Sequence, residues 1–161
     1  MNFNPTSNSG YFPIKGDVFD IENSFYLRSD PYRIGKLIGQ YELYKKIIDL
    51  PGAVVECGVF KGVSLIRWAT FRHILENAES RKIIGFDAFG SFPSEGLSRT
   101  DDLDFAANHD RESGGSGISM ETLSQHLDQK NFTNYELIPG NILKTLKPYF
   151  SANAFEKIAL L

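Results

Sequence analysis

Two acidic residues, each placed where a short apolar run ends, are the positions in this chain best suited to hold a ligand. The first, Glu56, is followed by Gly58, Gly62 and Ser64 in the order E-x-G-x-x-x-G-x-S. This order predicts a strand that turns sharply into a helix, whose first amides face a small anionic ligand that carries a ribose. Ser64 either caps those amides or donates its hydroxyl to the same anion. An ordinary tight turn between a strand and a helix is the alternative.

The second acid, Asp87, ends the run 82–86 and lies 31 residues after Glu56. In doubly wound folds an acid at the tip of the second strand accepts hydrogen bonds from ribose hydroxyls. A solvated turn aspartate is the alternative. The spacing separates this pattern from two related ones, because the dinucleotide fingerprint has a glycine two residues after its first, and the P-loop has a lysine after its second. This chain has Phe60 and Val63 at those places.

Longer segments around the two acids resemble one family. Residues 50–62, LPGAVVECGVFKG, are similar to the PG-x-[VF]-[VI]-E-x-GV-[WF]-[KR]-G segment of the macrocin O-methyltransferase (TylF-like) family of class I S-adenosylmethionine-dependent methyltransferases. Residues 85–93, GFDAFGSFP, are similar to its D-[ST]-F-x-G-[LF]-P segment, with Ala88 in place of the usual small hydroxyl residue. Residues 118–123 and 137–146 resemble a later helix and a G-x-[FI]-x-x-TL segment, so the resemblance covers roughly residues 25–161.

This resemblance implies an enzyme that transfers a methyl group from S-adenosylmethionine to a hydroxyl of a sugar or another natural-product small molecule. The acceptor is then the small-molecule partner. The residues that we expect to contact the cofactor are Glu56, Cys57, Gly58, Val59, Phe60, Gly62, Ser64, Asp87, Ala88, Phe89 and Asn141.

Three of these positions have a structural alternative. Cys57, the only cysteine, is expected within the apolar strand tip, where it packs or lines the cofactor with its backbone and is not a nucleophile. Asn141 follows the third predicted strand and either reads the adenine edge or caps the next helix. Phe89 either packs on the adenine or ribose or fills the core.

The resemblance places metal ligands and the catalytic acid in a D-x-D-type segment after the fourth strand, and this chain stops at Leu161 just before it. We therefore assign no catalytic residue and no metal ligand within the chain. Magnesium is expected only through residues beyond Leu161. An apolar run that ends in a free carboxylate is costly to bury, so we expect the chain to be part of a longer protein. If the chain ends at Leu161, half of a doubly wound sheet leaves an unpaired edge and an exposed apolar face, which predicts aggregation, dimerisation or partial unfolding; a homo-oligomer is one expected state.

Segments with strand and helix patterns alternate along the chain. Strands are expected at 53–57, 82–86, 135–138 and from 157, with helices at 31–50, 62–78, 120–128 and 142–149. This alternation predicts an α/β fold, a doubly wound (Rossmann-like) parallel sheet of the class I methyltransferase type, N-terminal part only. Residues 1–24 are expected to form an irregular arm and 25–161 the cofactor-binding domain. Within it, 88–118 is a long loop, either a substrate lid or a solvated insertion.

Composition excludes several classes of protein. A net charge of −3 over 161 residues argues against nucleic acid or a membrane surface as partner. No apolar run has the length of a membrane-spanning helix, and a single cysteine suits a reducing compartment, so we expect a cytoplasmic protein. Two other functions stay open. One is a Rossmann-type NAD-dependent oxidoreductase, which the missing glycine fingerprint disfavours; the other is a non-catalytic nucleotide-binding fragment.

Overall fold

A four-stranded parallel sheet forms the centre of the computed structural model, which describes residues 17–161. The strands lie in the order β3-β2-β1-β4, and every neighbouring pair is parallel. Their bounds are β1 Ala53–Cys57, β2 Ile83–Asp87, β3 Tyr135–Pro139 and β4 Ile158–Leu160. The α/β class and the parallel sheet predicted from the sequence are confirmed. The carboxyl ends of β1, β2 and β3 lie side by side, so the residues that follow them share one edge of the sheet.

Both faces of the central strands are covered, which explains their nearly continuous apolar sequence. Along β1, Val54 joins the larger core cluster, whereas Ala53 and Val55 join the smaller cluster on the opposite face. Along β2, Ile83 and Ile84 divide in the same way. Burying a Val or Ile side chain stabilises a fold by roughly 1.5–3 kcal/mol, so these two short strands anchor the sheet.

Within residues 17–161, six helices surround the sheet. Their bounds are α1 Val18–Arg28, α2 Pro31–Lys45, α3 Val63–Leu75, α4 Thr100–Glu112, α5 Met120–Gln129 and α6 Ile142–Ala152. The predicted start of α2 is confirmed, because the Asp30 carboxylate accepts a hydrogen bond from Tyr32 N at 2.9 Å and Pro31 is the first helical residue. Helix α5 is capped by Ser119, whose Oγ accepts a hydrogen bond from Thr122 N at 3.1 Å. No helix within residues 17–161 is long and apolar enough to cross a membrane.

Two segments that the sequence predicts to be irregular contain helices. The expected arm 1–24 overlaps α1, which Asp17 caps; residues 1–16 lie outside the described part of the chain. The expected loop 88–118 contains α4. Both helices contribute almost nothing to the core, because α1 buries no residue and α4 buries only Ala106. Two other helices are shorter than expected, since α2 ends at Lys45 and α3 at Leu75.

A buried arginine fixes the segment between α2 and β1. Arg81, whose side chain is only 2% exposed, pairs with Glu76 at 2.8 Å and donates to the carbonyl oxygen of Ile47 at 2.8 Å. The same guanidinium donates to the carbonyl of Gly52 at 3.2 Å. The carbonyls at the end of a helix have no partner within the helix, so Arg81 supplies the donors that they need. This contact positions β1 relative to α2 at the end of the sheet opposite the two acids.

Candidate functional site

Two cavities open at the edge where β1 and β2 end. The first, of about 450 Å³, lies between β1, α2, α3 and β4 and is lined by Gln40, Leu43, Val54, Val55, Glu56, Cys57, Gly58, Ser64, Trp68, Leu160 and Leu161. The second, of about 490 Å³ and mostly apolar, is lined by Gly58, Phe60, Asp87, Ala88, Gly90, Ser91, Phe92, Pro93, Glu95, Leu97, His109, Gly140, Asn141, Ile142 and Leu143. The volumes fall in the range of small-molecule sites.

Gly58 lines both cavities and separates them. Its φ of +91° lies in the region that only glycine adopts without strain. A Cβ atom added at this position would meet nothing within 4 Å. The requirement for glycine therefore comes from the backbone turn, and the space above it is open. A ligand that extends from one cavity into the other would pass over Gly58.

Glu56 is the acid of the first cavity. One carboxylate oxygen, Oε1, accepts a hydrogen bond from the Ser64 hydroxyl, and the buried Oε2 has no partner among the described residues. Burial raises the pKa of Glu56 to about 7; the Ser64 hydroxyl and the nearby Trp68 indole N–H, which does not reach Oε2 with hydrogen-bond geometry, partly offset this effect, and the nearby negative charge of Asp87 adds to it. An unpaired buried acceptor costs free energy, so this oxygen marks a place where a donor from a ligand is expected.

Asp87 occupies the end of β2, and both of its carboxylate oxygens already accept hydrogen bonds. Oδ2 accepts from Phe60 N at 3.0 Å and Oδ1 accepts from Phe89 N at 2.8 Å. Both phenylalanines have a positive φ, +52° and +53°, which is uncommon for residues other than glycine. Asp87 therefore holds together the turns that follow β1 and β2. A carboxylate oxygen has more than one lone pair, so capacity for a ligand hydroxyl remains.

The structure brings eight of the eleven predicted cofactor residues to the two cavities: Glu56, Cys57, Gly58, Phe60, Ser64, Asp87, Ala88 and Asn141. The other three do not line either one. Val59 is buried in the core, and Phe89 packs against the same cluster, as in the alternative of core filling. Gly62 has φ +79°, and an added Cβ would lie 2.8 Å from Leu123 Cδ1. This glycine therefore allows α5 to pack closely against the turn.

Three local expectations need revision or completion. Cys57 is exposed at the first cavity and not packed within the strand tip, because it is the last residue of β1. Ser64 does not cap α3, since its hydroxyl donates to Glu56; Gly62 is the N-cap and offers no side chain. Asn141 is the helix cap, accepting from Leu143 N at 3.0 Å, and it also lines the second cavity.

Sequence reasoning missed the walls that the helices contribute. Gln40 and Trp68 line the first cavity from α2 and α3, and His109 lines the second from α4. A signal for Gln40 was present, because it falls on the helical face that carries Leu37 and Tyr44, both packed in the core. His109 had no comparable signal, since α4 was not predicted.

The segment after α4 is tied to the turn after β1. Lys61 Nζ donates to the carbonyl oxygens of Ser113 and Gly114, at 3.0 and 2.7 Å. Ile118 N donates to the carbonyl oxygen of Phe60 at 2.8 Å. The His109 ring also contacts the Phe60 ring, with a centroid distance of 5.5 Å. In the structure, α4 therefore covers one side of the second cavity.

No group of three or more His, Cys, Asp or Glu side chains within residues 17–161 is arranged to hold a metal ion.

The model of the family described as macrocin-O-methyltransferase (TylF) matches residues 42–161. The chain belongs to this family. The match contains both strand-end acids, and it begins two residues after Gln40. A search of curated proteins gave no match.

Solved structures show the same fold. The apo structure of CalS11, described as a TDP-rhamnose 3′-O-methyltransferase in calicheamicin biosynthesis, has a TM-score of 0.55 and 21% identity over 94% of this TylF-family chain. A crystal structure of CalS11 has a TM-score of 0.58 and 21% identity over 96%. The O-methyltransferase NovP has a TM-score of 0.57 and 22% identity over 69%. This chain spans 59–62% of the CalS11 chains and 47% of NovP.

Proposed function

We propose that the protein is an S-adenosylmethionine-dependent O-methyltransferase whose acceptor is a hydroxyl of a sugar or a related small molecule. The observation that carries the proposal is a pair of cavities that meet over Gly58, at the sheet edge where Glu56 and Asp87 lie, in a chain of the TylF family. CalS11 and NovP, which share the fold, are themselves O-methyltransferases by description. These descriptions support the acceptor class, and the identity of the acceptor itself stays open.

The residues present fit this cofactor. Its ammonium group needs an acceptor, and Glu56 Oε2 is a buried acceptor without a donor. Its ribose needs hydroxyl acceptors, and Asp87 lines the second cavity with lone pairs to spare. Its adenine needs an apolar slot, and Phe60, Phe92 and Ile142 line that same cavity. The open space above Gly58 connects the two ends.

S-adenosylmethionine supplies a methyl group on a positively charged sulfur, which an acceptor oxygen attacks in line. The chain's own residues bind and orient the two reactants, and this positioning can contribute a large part of a rate enhancement. A hydroxyl must also lose its proton during attack, which requires a base or a metal ion. We assign that role to no residue within 17–161. A requirement for Mg²⁺ is a separate proposal that rests on the family resemblance, and its test is methyl transfer with and without a chelator.

The test is calorimetric titration of S-adenosylhomocysteine into the chain, with NAD as the control ligand. We expect S-adenosylhomocysteine to bind and NAD not to bind. Asp87→Ala should weaken binding at least tenfold, because it removes a ribose acceptor and loosens both turns. Asp101→Ala is the matched control, since this α4 carboxylate is 87% exposed, and it should bind as the wild type does.

The opposite pattern would overturn the proposal. Binding of NAD with no binding of S-adenosylhomocysteine would favour an oxidoreductase. Absence of binding by a chain that still melts cooperatively would favour a protein without this cofactor. Thermal melting of Asp87→Ala separates lost binding from lost folding, and Asp87→Asn retains one acceptor oxygen if the alanine variant does not fold.

A further inference from the structure

Gln40 contributes an oriented amide to the first cavity. Its Oε1 accepts a hydrogen bond from Arg67 Nη1 at 3.0 Å. A guanidinium only donates, so the oxygen of the amide must be the atom that faces Arg67. The nitrogen, Nε2, carries two donors and makes no hydrogen bond within residues 17–161. Because Gln40 lines the cavity, these donors are available to a ligand there.

Positive charge lies behind this amide. Burial lowers the pKa of Arg67, and the neighbouring Arg33 lowers it further, yet an arginine remains charged at neutral pH. Neither side chain forms an ion pair within the described part of the chain. A hydrogen bond from a cation polarises the Gln40 amide and strengthens its N–H donors. An anion on Gln40 would also gain from the nearby positive field.

Glu56 lines the same cavity, and its carboxylate is negatively charged when ionised, in contrast to the positive charge of Arg67 and Arg33. The cavity therefore presents a carboxylate acceptor at one position and polarised amide donors, backed by two cations, at another. A zwitterionic α-amino acid group has matching features, since its ammonium donates and its carboxylate accepts. The side chains of Leu43, Trp68 and Leu160 supply apolar contact for methylene groups between the two ends.

We propose that Gln40, oriented by Arg67, binds the carboxylate of the amino-acid end of the cofactor, while Glu56 accepts from its ammonium. This inference rests on the proposed function and adds a residue that the family match, which begins at residue 42, does not contain. Gln40 is a binding residue, and Arg67 is a positioning residue that acts through it. Helix α2 thus forms part of the cofactor site in addition to covering the sheet.

The experiment compares three ligands by calorimetry: S-adenosylhomocysteine, decarboxylated S-adenosylmethionine, which lacks the carboxylate, and 5′-methylthioadenosine, which lacks the whole amino-acid end. Gln40→Ala should weaken S-adenosylhomocysteine about tenfold or more and leave the other two ligands unchanged. Glu56→Gln should weaken the two ligands that carry an amine and leave 5′-methylthioadenosine unchanged. Gln125→Ala, which changes an exposed glutamine of α5, is the matched control and should change none.

Two further variants test the orientation by Arg67. Arg67→Met should reproduce the effect of Gln40→Ala on S-adenosylhomocysteine alone, and Arg67→Lys should restore part of the loss because it returns a charged donor. Gln40→Glu retains an acceptor for Arg67 and should fold, but its carboxylate should repel that of the ligand and weaken binding more than alanine does.

The outcomes separate this inference from the proposed function. If all three ligands bind the wild type and Gln40→Ala weakens none, or weakens all equally, the inference fails and the proposed function stands. If neither S-adenosylhomocysteine nor 5′-methylthioadenosine binds the folded wild type, the proposed function fails and the inference with it. Cys57 gives an independent readout, because it lines the same cavity and is the only thiol: S-adenosylhomocysteine should slow its alkylation more than 5′-methylthioadenosine does.

Discussion

Replacing Glu56 by glutamine should stabilise the protein at neutral pH while weakening its ligand site. The folded protein holds this carboxyl in a buried position that raises its pKa from 4.5 to about 7. Glutamine has nearly the same shape as the protonated acid, carries no charge, and retains an oxygen that accepts from the Ser64 hydroxyl. The substitution therefore removes the cost of a buried charge with little change in packing.

The size of the effect follows from the pKa. Each tenfold change in an acid constant corresponds to about 1.4 kcal/mol, so a rise from 4.5 to about 7 means that ionised Glu56 lowers stability by about 3 kcal/mol at most. Between these two pH values the folded state binds one proton more than the unfolded state at this site. The free energy of unfolding of the wild type therefore falls as pH rises through this window, and below 4.5 the contribution disappears.

Urea denaturation at several pH values from 4.5 to 8.5 measures this directly. The quantity of interest is the difference in unfolding free energy between Glu56→Gln and the wild type, because every other titrating group contributes equally to both. This difference should grow by about 3 kcal/mol between pH 4.5 and 8 and then stay constant. Glu112→Gln, a change at a carboxylate that is 66% exposed on α4, controls for the substitution itself.

Affinity should respond in the opposite sense. A ligand ammonium binds the ionised carboxylate, so protonated Glu56 must first release its proton. Affinity for S-adenosylhomocysteine should therefore fall as pH drops below about 7 in the wild type and vary less in Glu56→Gln. A difference in unfolding free energy that stays the same from pH 4.5 to 8.5 would refute the reasoning, because the carboxyl would then titrate alike in the folded and unfolded states.

Gly62→Ala and Gly58→Ala should both destabilise the fold by about 1–3 kcal/mol, since both glycines have a positive φ, +79° and +91°. The loss should be larger for Gly62→Ala, whose Cβ would lie 2.8 Å from Leu123 Cδ1, than for Gly58→Ala, whose Cβ would meet nothing within 4 Å, and equal losses of stability would contradict this contrast. Arg81→Met should cost about 3–5 kcal/mol in denaturant unfolding, because it removes the cation that pairs with the buried Glu76 carboxylate and leaves the Tyr44 hydroxyl as its donor; a loss below 1 kcal/mol would show that the pair contributes little. Lys61→Met should speed amide hydrogen exchange across residues 113–118 with little change in global stability, and unchanged exchange there would show that its two bonds do not hold the segment.

The strand-end turns could be predicted because their information is local. An apolar run, an acid and a glycine that must turn follow one another within a few residues, and the resulting strand, turn and helix need no distant partner to be recognised. The cap at Asn141 is local in the same way, since its side chain bonds the amide two residues on. Most of the residues predicted from local patterns therefore line the two cavities.

Helix α4 could not be predicted because its support is not local. It buries only Ala106, and its two large apolar residues, Leu103 and Phe105, are 42% and 53% exposed. The contacts that hold the segment come from Lys61 and Phe60, more than 50 residues from Ser113 and Ile118 along the chain. Two acids in its first turn, Asp101 and Asp102, favour a helix start, but acidic residues are equally typical of a charged loop.

The two acids also show what sequence alone cannot distinguish. Both end a strand at the same edge, and both fit a ligand-binding role by type and position. In the folded chain, Asp87 satisfies two backbone amides and thereby holds Phe60 and Phe89 in a conformation that most residues avoid. Glu56 has one oxygen without a donor and a raised pKa. The difference arises because the Phe60 amide, in the turn after β1, donates to Asp87 and not to Glu56. Loss of the Asp87 carboxylate should therefore disturb both cavities. Loss of the Glu56 carboxylate should change ligand affinity and leave the turns intact.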